Sequence, residues 1–508
     1  MKSRPLRSSS GERAPIAGWV VAATLVLMIP AIVNGAPFIY YDTATYLSAP
    51  QPVLPILKFL LEPLTLRSGG VLENLHAVRV RYRILSSADP VAADWIMHRG
   101  RAPHYRILGA LSVEYGRVWS LAALQALLTA LVAALFWARV AGLALGWGWL
   151  AGMAALTALT PLGLFAGLAM PDILSGVTVL AVIGLVLGWT RLRVSERAAL
   201  AVIAGFAMLS HQTHLLLGAG LALALALLAR HTAGRYRGLA AVLAAAFTAG
   251  ALEQGYMQLL DLRPDATVQS RPHLVAHLID HGPGVDYLRQ NCPEAGFALC
   301  AHVDKLPMRW SAFLFGGRSA ESRFLAEAPV AERVTISQEQ FPLVLAIIRD
   351  DPWGVLGFAL RAAGRQITMF RPDGAIIMPD NLATHPVPFP PDLKQATWDS
   401  RLYADPGLLR TLGDISGVVV VGALALLLLG WLRLWVRQGG ADRYHATMIV
   451  TALMAGLLLN AIICGVLASP YDRFQARLIW LLPYAALMLT VAAFGTATQT
   501  ARHGARND

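Results

Sequence analysis

Asp42 stands in an aromatic run, Phe38-Ile39-Tyr40-Tyr41-Asp42-Thr43-Ala44-Thr45-Tyr46. Tyrosines around a carboxylate partly desolvate it and raise its pKa, whereas a bound cation lowers it. Such a group at a membrane edge can act as a general base toward an incoming hydroxyl. The competing reading is an aspartate that caps the element after it. Asp172 follows Pro171 at the head of an apolar run. It either caps helix N–H groups and offsets the dipole, or shapes the same cavity as Asp42 at the same depth. Arg473 and Arg477 occupy the short connection 470–477 ahead of the last apolar run. A guanidinium fork suits a phosphate or pyrophosphate at headgroup depth, with pairing to Asp472 or to anionic headgroups as the alternative.

His211 and His214 sit between two short apolar runs. Polar residues at a helix break in lipid line a cavity, and two histidines alone are a weak metal signal. His273, His277 and His281 recur at helical spacing and read as a surface stripe ahead of a zinc site. Cys464 lies inside an apolar run and reads as a small buried residue. Cys292 and Cys300 share one long loop, so an oxidising compartment would pair them, the alternative being two free thiols.

The elements that must position these groups are membrane spans. The 508 residues are 56% hydrophobic and 14% charged, against about a quarter charged in soluble domains. Apolar runs fall at 16–34, 118–138, 143–165, 172–190, 198–211, 214–229, 238–259, 413–432, 446–468 and 478–498. Most have the roughly 20 residues that a bilayer core demands, giving an all-α polytopic membrane protein of about ten transmembrane helices. The net charge of +11 is concentrated in short connections. That is topogenic placement, and it excludes a nucleic-acid-binding reading.

Arg191/Arg193/Arg197, Arg230/Arg235/Arg237, Arg433/Arg437/Arg443 and Arg502/Arg506 mark every second connection. The positive-inside rule then puts both termini in the cytoplasm of a bacterial inner membrane protein. The first run reads as an uncleaved anchor, a signal peptide being the alternative. Three parts follow: an N-terminal membrane module 1–259, an extramembrane segment 260–412, and a C-terminal three-span module 413–508.

Two large periplasmic loops are expected. The first, 35–117, contains a Pro-bounded apolar segment at 55–63 with Lys58 and Glu62, the pattern of an interfacial helix. Residues 75–85 fit a strand or one helical face, and Asp89-Pro90 reads as a helix start. In the second loop the sequence predicts a helix over 338–349, a turn at Asp350-Asp351-Pro352 and an amphipathic helix over 353–370.

With those residues placed, the layout resembles the GT-C superfamily of membrane glycosyltransferases, in particular the protein mannosyltransferase and aminoarabinose transferase group, loosely family 39-like. Four features carry it: Tyr41-Asp42 after the first span, Gly100-Arg101-Ala102-Pro103-His104-Tyr105 before the second, Met170-Pro171-Asp172 at the fourth, and Arg473-Phe474 after a long loop. Thr43 and Arg106 stand where many members carry a second acid and a second proline.

The resemblance implies sugar transfer from a polyprenyl-phosphate donor to a glycan, lipid or protein acceptor at the outer leaflet, with inversion. Asp42 would be the base, and Arg473 with Arg477 would hold the donor phosphate, where electrostatic stabilisation gains most. Arg101, Tyr105, Asp172, His211 and His214 would line the substrate cavity. The resemblance names no certain cofactor, and a divalent metal at Asp42 stays open. Asp42 and Arg473 would then face one cavity, within a span that one sugar-phosphate could bridge, on the order of 10 Å.

Two other classes remain. A periplasmic-side polysaccharide polymerase or ligase would use lipid-pyrophosphate-linked oligosaccharides. A lipid-linked glycan transporter would bury ionisable groups near the midplane, whereas these span interiors are almost free of charge.

Overall fold

The computed structural model describes residues 16–48, 102–261, 271–315, 325, 328–385, 387–437 and 440–494. Arg101 and the first-loop features at 55–63, 75–85 and 89–97 lie outside the described residues.

Among the described residues the protein is all-helical, with a single parallel bridge between Phe38 and Leu168. In lipid only a helix satisfies every backbone N–H and C=O within its own segment. Among the described residues seven helices are long and apolar enough to cross a membrane: Ile16–Asn34, Trp119–Val140, Pro171–Gly188, Arg235–Tyr256, Gly407–Val436, Arg443–Leu467 and Arg473–Phe494. The other three expected spans are shorter helices, Trp147–Leu159, Val194–Leu209 and Gln212–Leu228. The first stops because Thr160 is extended and Pro161 cannot continue the helix. The last two meet at Ser210 and His211, where the His211 ring accepts from the Thr213 N–H as a helix cap.

Pro171–Gly188 is the axis of the bundle, and every residue from Leu174 to Gly188 is buried. Small residues let its neighbours close in, with Gly176 against Trp480 and Gly188 against Val140. The outer helices turn Val21, Leu25, Ile29, Val418, Val421 and Leu428 outward, as a lipid-facing surface requires.

The two ends of the bundle differ. One end carries the short arginine-bearing connections. The other carries the described residues between 271 and 406, including the helices Gln340–Asp350 and Pro352–Thr368, with Asp351 capping the Gly354 N–H at 2.8 Å. This segment is not one unit. Val275, Leu278, Leu288, Phe313, Ile347 and Phe358 build a separate small core. Ala375, Ile377, Leu382, Phe389 and Leu393 instead join the core of the bundle. Cys292 and Cys300 are bonded to each other beside the small core, with Cα atoms 5.3 Å apart.

Candidate functional site: a buried carboxylate–guanidinium cluster

The first span ends at Asn34, and Gly35 at φ +88° turns the chain back over the bundle end. The Phe38 N–H donates to the Gly167 carbonyl at 3.0 Å, and the Ala169 N–H donates to the Phe38 carbonyl at 2.9 Å. The Ile377 N–H donates to the Ile39 carbonyl at 2.9 Å from the other side. Residues 38–41 are thus clamped between the approach to the central span and the second loop. The clamp fixes Asp42 at the start of the short helix Thr43–Leu47. Its carboxylate makes no cap hydrogen bond there, so capping is not what its side chain does.

Asp172 lies in the first turn of the central span, and its Oδ1 accepts no hydrogen bond. Its carboxylate meets two guanidiniums instead. Asp172 Oδ1 is 3.4 Å from Arg473 Nε and 3.6 Å from Arg477 Nη1. Arg473 also reaches Asp42, with Nη2 3.9 Å from Oδ2. Carboxylates at 42 and 172 and arginines at 473 and 477 therefore form one chain of charges, formally neutral as a set.

Asp42 and Arg473 lie closer than the span that one sugar-phosphate could bridge. The two are in contact. Both arginines were expected in a connection, yet they lie in the first two turns of the last span, Arg473–Phe494. Neutralisation by Asp172 lets that helix begin while its guanidiniums are still inside the bundle.

Burial makes these charges costly. Asp172, Arg473 and Arg477 are 3%, 7% and 1% exposed. Desolvating an ion costs several kcal/mol even after relaxation, and only good pairing offsets it. The pairing here is incomplete: Asp172 Oδ1, Arg473 Nε and Arg477 Nε all lack a hydrogen-bond partner. Arg477 is the better held, donating through Nη2 to Thr213 Oγ1 at 3.2 Å and Asn460 Oδ1 at 3.3 Å. Arg473 lies over the Tyr40 ring, with Cζ 4.0 Å from the centroid, a cation–π contact that strengthens on desolvation. Burial pushes the Tyr40 hydroxyl pKa up despite the opposing pull of Arg473, so Tyr40 stays neutral.

The remaining predicted residues stand around this cluster. His211 shares a 2.8 Å hydrogen bond with Thr213 and so adjoins Arg477 through one hydroxyl. His214 is fully buried; its Nδ1 faces the Ala207 carbonyl at 3.1 Å and its Nε2 has no hydrogen-bond partner. The Tyr105 hydroxyl donates to Gln125 Oε1 at 2.8 Å, and Gln125 donates to the Leu168 carbonyl at 2.7 Å. Tyr105 therefore supports the segment at Leu168 that pairs with Phe38, and it meets Tyr46 edge-on at 5.3 Å.

No family model, curated protein or solved structure matches this chain. Its site must be read from its own geometry.

Sequence reading missed the second ring of polar residues. Gln366 donates to the Tyr471 carbonyl at 3.0 Å and accepts from the Tyr471 N–H at 2.9 Å, fixing the turn before Arg473. Asn460 donates to the Phe474 carbonyl and to Gln475 Oε1, both at 2.8 Å. Gln125 and Asn460 were visible as amides inside apolar runs, a signal of internal polar contacts in a membrane. Nothing in the sequence pointed to Gln366. Among the described residues, no group of three or more His, Cys, Asp or Glu is placed to hold a metal ion.

The second expected histidine feature is also corrected. His277 is 1% exposed and packs on Phe358 at 4.6 Å, so the 273–281 helix does not present a histidine stripe to water. Helical spacing shows that side chains share a face; it does not say whether that face is covered.

Proposed function

We propose that this protein transfers a sugar from a polyprenyl-phosphate donor to an acceptor hydroxyl at the non-cytoplasmic side of a bacterial membrane. The observation that carries the reading is the meeting of Asp42 and Arg473, 431 positions apart by their numbering, at the rim of a dry and incompletely paired charge cluster. Asp42 is the more open of the two, its side chain 17% exposed against 8% for Arg473. It is the carboxylate that an acceptor from the aqueous side would reach.

The contact between them is the resting arrangement. The donor phosphate takes the place of Asp42 on Arg473 Nη2, while Nε stays turned to Asp172. The freed Asp42 carboxylate then accepts the proton of the acceptor hydroxyl. The acceptor oxygen bonds to the anomeric carbon, the bond from that carbon to the phosphate oxygen breaks, and the configuration inverts. The electron pair leaves with the lipid phosphate, whose growing charge Arg473 stabilises. Asp172 and Arg477 hold Arg473 in position and stay paired throughout.

Donor binding tests this. Arg473→Ala should weaken binding of a polyprenyl-phosphate sugar and also slow transfer, because leaving-group charge is larger in the transition state. Arg473→Lys should recover only part, since an ammonium cannot supply two parallel N–H bonds. Unchanged donor affinity in a folded Arg473→Ala protein would remove Arg473 from the site.

A further inference from the structure

A second polar concavity lies apart from the Asp42 cluster and plays no part in the transfer scheme. It has a volume of about 370 Å³ and is lined by His277, Asp280, His281, Phe358, Arg361 and Arg365, together with Ala362 and Pro470. Its depth in the membrane can be read from its floor. The His277 Nδ1 faces the Val466 carbonyl at 3.3 Å, in the last turn of the span Arg443–Leu467. The cleft thus opens where the hydrocarbon region ends.

The charges in it are unbalanced. Asp280 is committed, since Oδ1 pairs with His281 Nδ1 at 2.8 Å and Oδ2 accepts the Trp310 N–H at 2.9 Å. Arg361 and Arg365 sit one helical turn apart and make no ion pair among the described residues. His277 is 1% exposed, and its Nε2 has no hydrogen-bond partner. Burial lowers its pKa to about 4, so near neutral pH the ring is uncharged. With Nδ1–H turned to the Val466 carbonyl, Nε2 is left as an acceptor. The cleft therefore combines two free cationic forks with one buried acceptor, a set that fits an anionic phosphate ester bearing a hydroxyl.

The helix that supplies the arginines indicates where such an ester comes from. Pro352–Thr368 buries one face, with Phe358 in the small core and Ala362 and Gln366 beside it. It turns Trp353, Leu356, Leu360 and Ile367 outward, Trp353 at 79% and Leu360 at 67% exposure. The preceding helix likewise exposes Phe341, Leu345 and Ile348. A helix with an apolar outer stripe beside an arginine strip lies in the membrane interface, with its cations at headgroup level.

We infer that this cleft binds the phosphate headgroup of an anionic lipid, with Arg361 and Arg365 on the phosphate and His277 Nε2 accepting a headgroup hydroxyl. This is independent of the glycosyl-transfer reading, because none of these residues touches the Asp42 cluster.

The test uses full-length protein in detergent and native mass spectrometry with phosphatidylglycerol, phosphatidylcholine or inorganic phosphate as probe. The wild type should retain phosphatidylglycerol about tenfold over phosphatidylcholine, as charge-assisted bonds to an unmasked phosphate would give. Arg361→Gln/Arg365→Gln should lose that preference. Both side chains are exposed, so thermal stability and donor binding should stay at wild-type values. Equal preference in wild type and variant would overturn the site. So would displacement of the lipid by equimolar inorganic phosphate, which would make free phosphate the ligand.

Discussion

At one end of the bundle Arg139 pairs with Glu196 at 2.8 Å, and Arg191 donates to the Val140 carbonyl at 2.9 Å. Arg197, Arg433 and Arg443 lie over Trp189, Phe494 and Trp435, with Cζ 4.4–4.8 Å from the ring centroids. These guanidiniums run along apolar surface toward the bundle end and find carbonyls, aromatic faces or one carboxylate there. At the other end Arg473 and Arg477 are buried, share the carboxylate of Asp172, and leave their Nε atoms without a hydrogen bond. The same residue type thus does two jobs. At the first end arginine is anchored cheaply at a boundary, where topology needs it. At the second it is held dry at a cost that stability does not explain, since apolar residues of similar volume would pack there at least as well. A cost of that kind is what a binding or catalytic site carries.

The comparison breaks outright if the two ends are exchanged across the membrane. Reporter fusions after residues 235 and 438 should report cytoplasm, and fusions near 300 and 380 the periplasm; a cytoplasmic signal at 300 would reverse the assignment. The next largest effect is expected inside the cluster. Among the described residues, Asp172→Ala leaves buried Arg473 with Asp42 and buried Arg477 with no acidic partner, and breaking such a network typically costs about 3–5 kcal/mol. A thermal or denaturant unfolding measurement in detergent reads this. A loss under about 1 kcal/mol would mean that water already screens the cluster. The smallest effect belongs to the opposite end. Arg139→Gln removes one pair, 19% and 12% exposed, and leaves Glu196 still accepting the Arg193 N–H, so its unfolding midpoint should shift less than that of Asp172→Ala. A large shift there would erase the distinction between the two ends.

What could be read from the sequence follows the same division. The long spans were legible because lipid admits only helices and demands a fixed apolar length. The helix over Pro352–Thr368 was legible from Asp351-Pro352 and its periodicity. Trp147–Leu159 was read as a longer span, because the apolar run continues through Pro161 although the helix cannot. In the site, the shared depth of Asp42, Asp172, Arg473 and Arg477 was legible from their places at span ends. Their contact was not, because hydropathy fixes depth along the membrane normal and says nothing of position within its plane. His277 fell to the same limit: its face was evident, and what covers it was not.

The central claim is that Asp42 is the base of a transfer reaction and not merely one more partner for Arg473. Single-turnover transfer from a polyprenyl-phosphate sugar, measured in wild type and Asp42→Asn with donor affinity determined in parallel, separates the two. The variant keeps the side-chain shape and removes the proton acceptor. Donor affinity should hold or rise, since the phosphate no longer competes with a carboxylate for Arg473, while the rate falls by about 10²–10⁴. A folded Asp42→Asn protein that transfers sugar at the wild-type rate would contradict the account.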